Sequence, residues 1–155
     1  MTRRSLTGLV LIGTLVGALV ASGASGVAAE SRATRSKAHC TVQAYNVSYP
    51  QLSGLVFSLL KCSKPFGRGV QEANTKTSLV GTTLNVSATF ENFFRNGTNR
   101  GTIDLSGAVG SGAISARGSV HIVGGTGAYK HMKATGRATC TTTDVGKTYT
   151  CTVTL

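Results

Sequence analysis

Thr83-Leu84-Asn85-Val86-Ser87-Ala88-Thr89-Phe90-Glu91 decides the fold. Apolar side chains stand at every second position and polar ones between them, which is the period of an extended strand with one dry and one wet face. The same alternation returns at Ile103 and Leu105, beyond a turn at Asn96-Gly97-Thr98. It returns again where Ile114, Ala116, Gly118, Val120 and Ile122 interleave with Ser115, Arg117, Ser119 and His121. No stretch of the body carries a helical apolar period. Gly and Thr are abundant, Trp is absent and there are 2 Pro in the chain. These observations predict an all-β domain of seven or eight antiparallel strands, closed as a barrel or packed as a sandwich. Closure is the simpler solution, because it removes exposed edges.

Outward from this centre lie four cysteines. If Asp144-Val145-Gly146-Lys147 forms a tight turn, Cys140 falls directly opposite Cys151. Facing antiparallel positions bring two Cβ atoms within disulfide reach. Cys40 and Cys62 centre on Gln51, within a turn at Tyr49-Pro50-Gln51-Leu52-Ser53 in which Pro50 presets φ. The expected bridges are therefore Cys40–Cys62 and Cys140–Cys151. A metal site with His39, His121 or His131 would need regular ligand spacing, and the chain has no Cys-x-x-Cys. No metal and no cofactor are expected.

The N-terminus reads as an export signal. Arg3 and Arg4 precede an uncharged apolar run from Leu6 to Ala21, and small residues lead to Val27-Ala28-Ala29. The run is shorter than the ~20 residues that span a bilayer, so no transmembrane anchor is expected. The adjacent arginines also fit a twin-arginine signal. Cleavage after Ala29 gives a secreted, extracellular protein, an oxidising setting in which two disulfides belong. Residues 30–39 read as a flexible basic tail, 40–155 as a single domain, and 63–77 as a long basic loop. Leu55-Val56-Phe57 with Leu59-Leu60 reads as a strand covered on both faces.

Gly118-Ser-Val-His-Ile-Val-Gly-Gly-Thr-Gly-Ala-Tyr-Lys-His-Met-Lys-Ala-Thr-Gly-Arg-Ala-Thr-Cys140 resembles the strand–Gly-Gly-Thr-Gly-x-aromatic-Lys–strand hairpin of the allene oxide cyclase/dirigent-like barrel superfamily, and is most similar to its small exported bacterial members. Ala134 stands where that pattern often has Gly. The resemblance implies an eight-stranded antiparallel barrel with an apolar interior. It transfers no catalytic residue to a position of this chain. Gly124, Gly125 and Gly127 read as structural turn residues that supply positive φ and a tight bend, with Tyr129 packing beside it.

The chemistry-bearing residues are few. Glu72, Glu91, Asp104 and Asp144 form no evident acid/base pair, and no Ser sits in a Gly-x-Ser-x-Gly elbow. Gly125-Thr126-Gly127 lacks the spacing of a phosphate loop. Tyr45, Tyr49, Phe57, Phe90 and Phe93 are the candidates to line a ligand cavity. Asn46, Asn85 and Asn96 open Asn-x-Ser/Thr glycosylation patterns.

The formal charge of +11 becomes +9 once Arg3 and Arg4 are removed. It is spread along the chain without an aromatic-interleaved basic stripe, so nucleic acid is not an expected partner. The expected function is an exported, non-catalytic barrel that binds a small apolar ligand or an anionic cell-surface polymer. The alternative is a cyclase or isomerase that shapes an apolar substrate in the barrel pocket. The sequence leaves the oligomeric state open. N-terminal sequencing of the protein recovered from the medium is expected to begin at Glu30, and its intact mass to show two disulfides. A mature chain that retains Leu6–Ala21 would contradict the export reading.

Overall fold

A computed structural model describes residues 37–110 and 113–155. The leader and residues 30–36 of the expected tail lie outside the described residues. Eight strands follow in order: β1 (His39–Asn46), β2 (Gly54–Cys62), β3 (Arg68–Val80), β4 (Thr83–Phe94), β5 (Gly97–Val109), β6 (Ile114–Gly125), β7 (Ala134–Thr142) and β8 (Thr148–Thr154). Each is antiparallel to its neighbour, and β1 pairs with β8, so the sheet closes as an eight-stranded barrel. Among the described residues no helix is long and apolar enough to cross a membrane.

Both disulfides join the expected pairs. Cys40 faces Cys62 across β1–β2, and Cys140 faces Cys151 across β7–β8. The period-two pattern becomes an inside and an outside. Val42, Val56, Leu60, Phe90, Leu105, Val120 and Ile122 point inward and form the core with Cys140 and Cys151. Burying each large aliphatic contributes roughly 1.5–3 kcal/mol.

Three expectations are corrected. The tail does not extend to residue 39. Ala38 is buried and exchanges two backbone hydrogen bonds with Leu155, at 3.2 and 2.9 Å, and His39 already belongs to β1. The basic loop is not 63–77, because β3 begins at Arg68. This strand shows no apolar alternation since its inward positions are Gly69, Gln71, Ala73, Thr75 and Thr77, small or polar throughout. Nor is β2 covered on both faces. Ser58 is the buried residue between Val56 and Leu60, while Phe57 and Leu59 are exposed on the outer wall.

The two ends of the barrel are closed differently. At the upper end, the β6–β7 connection folds over the β4–β5 turn. Thr126 N donates to the Thr98 carbonyl at 2.8 Å, Ala128 N donates to the Asn96 carbonyl at 2.9 Å, and Thr98 N donates to Thr126 Oγ1 at 3.0 Å. Gly127 takes φ +54, and a Cβ at Gly125 would strike the Thr98 carbonyl oxygen. The close approach therefore demands glycine at both positions. Gly124, by contrast, is close to extended, with φ +159. Beyond the bend a single 3-10 turn, Gly127–Tyr129, drops Tyr129 between Phe66 and Phe94, with ring centroids 5.4 and 5.6 Å away. At the lower end, buried Asn46 ties two turns together, donating from Nδ2 to the carbonyls of Gln51 at 2.7 Å and Gly146 at 3.3 Å.

The disulfides close loops whose sequence separations are 22 for Cys40–Cys62 and 11 for Cys140–Cys151. A bridge of this size stabilises by about 3 kcal/mol through the unfolded chain. Doubling the loop adds only about 0.6 kcal/mol. Urea unfolding is therefore expected to show that Cys40→Ser with Cys62→Ser costs slightly more than Cys140→Ser with Cys151→Ser. A reversed order of a full kcal/mol or more would show that packing around the sulfurs, not loop entropy, dominates.

Candidate functional site: the barrel interior

The interior is not filled solid. An upper cavity of about 70 Å³ lies beneath the aromatic plug, walled by Leu60, Phe66, Phe90, Phe94, Ile122 and Leu155 among others. A lower cavity of about 110 Å³ is walled by Val56, Leu84, Val86, Leu105, Ile114 and Tyr149 among others. The two adjoin, sharing Val42, Gln71, Ala73, Ile103 and Val153 as walls.

A polar ladder crosses this apolar interior. Ser58, Gln71, Asn92 and Asn99 are successive facing partners on β2, β3, β4 and β5, so their side chains occupy one inward row. Ser58 Oγ donates to Gln71 Oε1 at 3.2 Å, Gln71 Nε2 to Asn92 Oδ1 at 2.9 Å, and Asn92 Nδ2 to Asn99 Oδ1 at 2.9 Å. Each rung satisfies the acceptor of the next, as buried polar groups require. The last rung does not close. Asn99 is 0% exposed, and its Nδ2 is without a hydrogen-bond partner. Leaving such a donor unpaired costs about 1–3 kcal/mol. It sits on the wall of the upper cavity, which Gln71 and Asn92 share and which is otherwise mostly apolar.

Of the aromatic residues expected to line a cavity, Phe90 does so. Tyr45, Tyr49, Phe57 and Phe93 are exposed and line neither cavity. Alternation fixes that neighbours face opposite ways, but an aromatic side chain is compatible with either face. Gly124, Gly125 and Gly127 hold the upper bend, and Tyr129 packs there as expected. The basic residues point outward. Lys76 and Arg117 share an open outer shelf with Ser87, Ser106 and Ser119, and Asp104 belongs to the same shelf. His121 accompanies Thr135, with Nδ1 at 3.3 Å from Oγ1. Among the described residues no cluster of His, Cys, Asp and Glu could hold a metal ion.

Among the described residues one titratable side chain lines the cavities, Tyr149 in the lower one. Burial raises its phenol above the ordinary value, and the charge of Asp144 raises it further. Asp144 itself organises the β7–β8 turn. Its Oδ2 accepts from Thr148 Oγ1 at 2.6 Å, and its Oδ1 accepts from Thr148 N at 2.9 Å and Thr142 Oγ1 at 2.7 Å. These donors, Thr148 first, hold its carboxyl at about 2. They also hold Val145 at φ +55, a left-handed conformation unfavourable to a β-branched residue.

No protein-family model, curated protein or solved structure matches this chain.

The depressed carboxyl sets a pH dependence. A group whose folded value lies below its unfolded value of 3.8 contributes stability that is present above that value and fades as pH falls toward 2. Asp144→Asn is therefore expected to lower Tm at pH 6 and to match the parent near pH 2. A Tm difference of constant size from pH 6 to pH 2 would show that the charge of Asp144 has no part in holding the turn.

Proposed function

We propose that this chain is an exported binding barrel that takes a small apolar molecule bearing one acceptor oxygen into its interior. The observation that carries the reading is the amide of Asn99, fully buried on a mostly apolar wall with a donor unused. A mostly apolar site whose other buried polar groups are partnered, with one donor free, recognises an apolar body by burial and one oxygen by direction. The adjoining volumes suit a compact ligand; an engineered cavity of about 150 Å³ takes up benzene. In this arrangement the oxygen meets Asn99 in the upper cavity, and the hydrocarbon extends toward Val86 and Leu105 in the lower one. The ladder back to Ser58 fixes the Asn99 side chain, so the donor is oriented before the ligand arrives.

Two other readings have less support. An anionic polymer on the outer shelf would meet Lys76 and Arg117, but also the carboxylate of Asp104. A cyclase or isomerase acting by proton transfer would have to rely on Tyr149, the one titratable wall residue, whose hydroxyl is held neutral by burial and by Asp144. The resemblance to the allene oxide cyclase/dirigent-like barrels belongs to this proposal too. It is supported by the eight-strand antiparallel closure and by the structural task that Gly125 and Gly127 perform in the shared motif.

Cyclopentanone and methylcyclopentane, nearly equal in size, separate burial from the hydrogen bond. Titrations followed by the backbone amide resonance of Ile122, on the wall of the same cavity and present in parent and variant alike, are expected to show the ketone binding roughly fivefold more tightly, the worth of about 1 kcal/mol. Asn99→Leu should bind both probes alike. Absence of binding by either probe, or equal affinity for both in the parent chain, would overturn the proposal.

A further inference from the structure

The outer wall carries an apolar patch that the interior does not explain. Leu59, Val70 and Phe93 are successive facing partners on β2, β3 and β4, and Tyr45 faces Phe57 beside them on β1 and β2. All five are between 40% and 54% exposed. Isolated apolar residues on a surface are ordinary, but five contiguous ones mark an interaction site.

The charges around this patch are sorted by sign. On one side Lys61 faces Arg68, and on the other Glu72 faces Glu91. Like charges directly opposite each other destabilise a sheet. Glu91 has Arg100 across β5 as a counter-charge, but the facing neighbours of Glu72 are Phe57 and Glu91. Arg68 and Glu72 lie on one strand, two residues either side of Val70. At about 3.3 Å per residue they are too far apart to pair with each other.

We infer that this face binds a second copy of the chain, in an isologous dimer whose two-fold axis runs along the Leu59–Val70–Phe93 row. A two-fold axis in an interface exchanges what lies on its two sides. It therefore sets Arg68 against the partner's Glu72 and Glu72 against the partner's Arg68. By the same exchange Lys61 meets the ring of the partner's Phe57, a cation over an aromatic face. Leu59 and Val70 meet their own counterparts at the centre. The pattern that is unfavourable within one barrel becomes complementary between two, and charge complementarity is what selects a second copy over another occupant.

Sedimentation equilibrium on the mature chain and two charge reversals tests this. Exposed substitutions of this kind change folding stability by only about 0.5 kcal/mol, which circular dichroism and thermal unfolding verify. The parent is expected to dimerise, and Arg68→Glu and Glu72→Lys each to weaken dimerisation at least tenfold. An equimolar mixture of the two variants should restore it, because each mixed contact then pairs opposite charges. Leu59→Thr, which leaves every charge in place, should also weaken the parent dimer. A parent chain that stays monomeric up to about 1 mM, or a mixture that fails to recover association, would overturn the dimer; the latter result would mean that the patch receives a different partner.

Discussion

The pairing of β1 with β8 is the contact on which the rest depends. It runs from His39 opposite Thr154 to Tyr45 opposite Thr148, and it turns a twisted sheet into a closed wall. Once the wall is closed, every second side chain is cut off from water. The apolar ones gain by this, and the polar ones must find partners within the barrel. Ser58, Gln71, Asn92 and Asn99 do so through one another, and only because the register of four strands sets them in a single row. A shift of one residue at any of the three pairings would turn part of that row outward. The ladder and the closure are therefore consequences of one another, and the unused donor on Asn99 is where their mutual satisfaction stops.

The ends of the barrel show how the same sheet is finished with different chemistry. Above, glycine lets one connection lie against another, and the aromatic rings of Phe66, Phe94 and Tyr129 seal the interior with apolar surface. Below, the seal is polar. Asn46 bridges two turns, and Asp144 gathers hydroxyl and amide donors around a strained bend. Hydrogen bonds fasten both ends: three join the β6–β7 connection to the β4–β5 turn above, and those of Asn46 and Asp144 hold the turns below.

How much of this was legible in the chain varies from element to element. β4 and β6 announce themselves because their inward residues are apolar and their outward ones polar. The two bridges follow from turn positions, since cysteines that face each other across a hairpin are fixed by counting. β3 is illegible for the reason that makes it interesting: its inward side carries Gln71 and threonines, so no apolar period exists to detect. The outward aromatics of β1 and β2 misled in the opposite way, since Tyr45 and Phe57 have the composition of a cavity lining and the parity of a surface. The ladder itself left one signal. With the turn at Arg95-Asn96, one residue earlier than the Asn96-Gly97-Thr98 turn expected from the sequence, counting outward sets Asn92 opposite Asn99, two amides facing across a hairpin, just as counting sets Cys140 opposite Cys151. Its extension to Gln71 and Ser58 needed the register of β3, which the sequence pattern does not supply.

Ser58, Gln71, Asn92 and Asn99 form one inward row that ends in an unpaired donor. Nuclear Overhauser measurements on the ligand-free protein address it directly. Contacts are expected to link the side-chain amide protons of Gln71, Asn92 and Asn99 in sequence and to join Asn99 to wall residues such as Ile122, and the amide protons of Asn92 and Asn99 to exchange with bulk water far more slowly than those of an exposed asparagine. Amide protons on Asn92 and Asn99 that exchange as freely as in an unfolded chain, or contacts placing Gln71 beside outward-facing Val70 neighbours on β2 and β4, would contradict it.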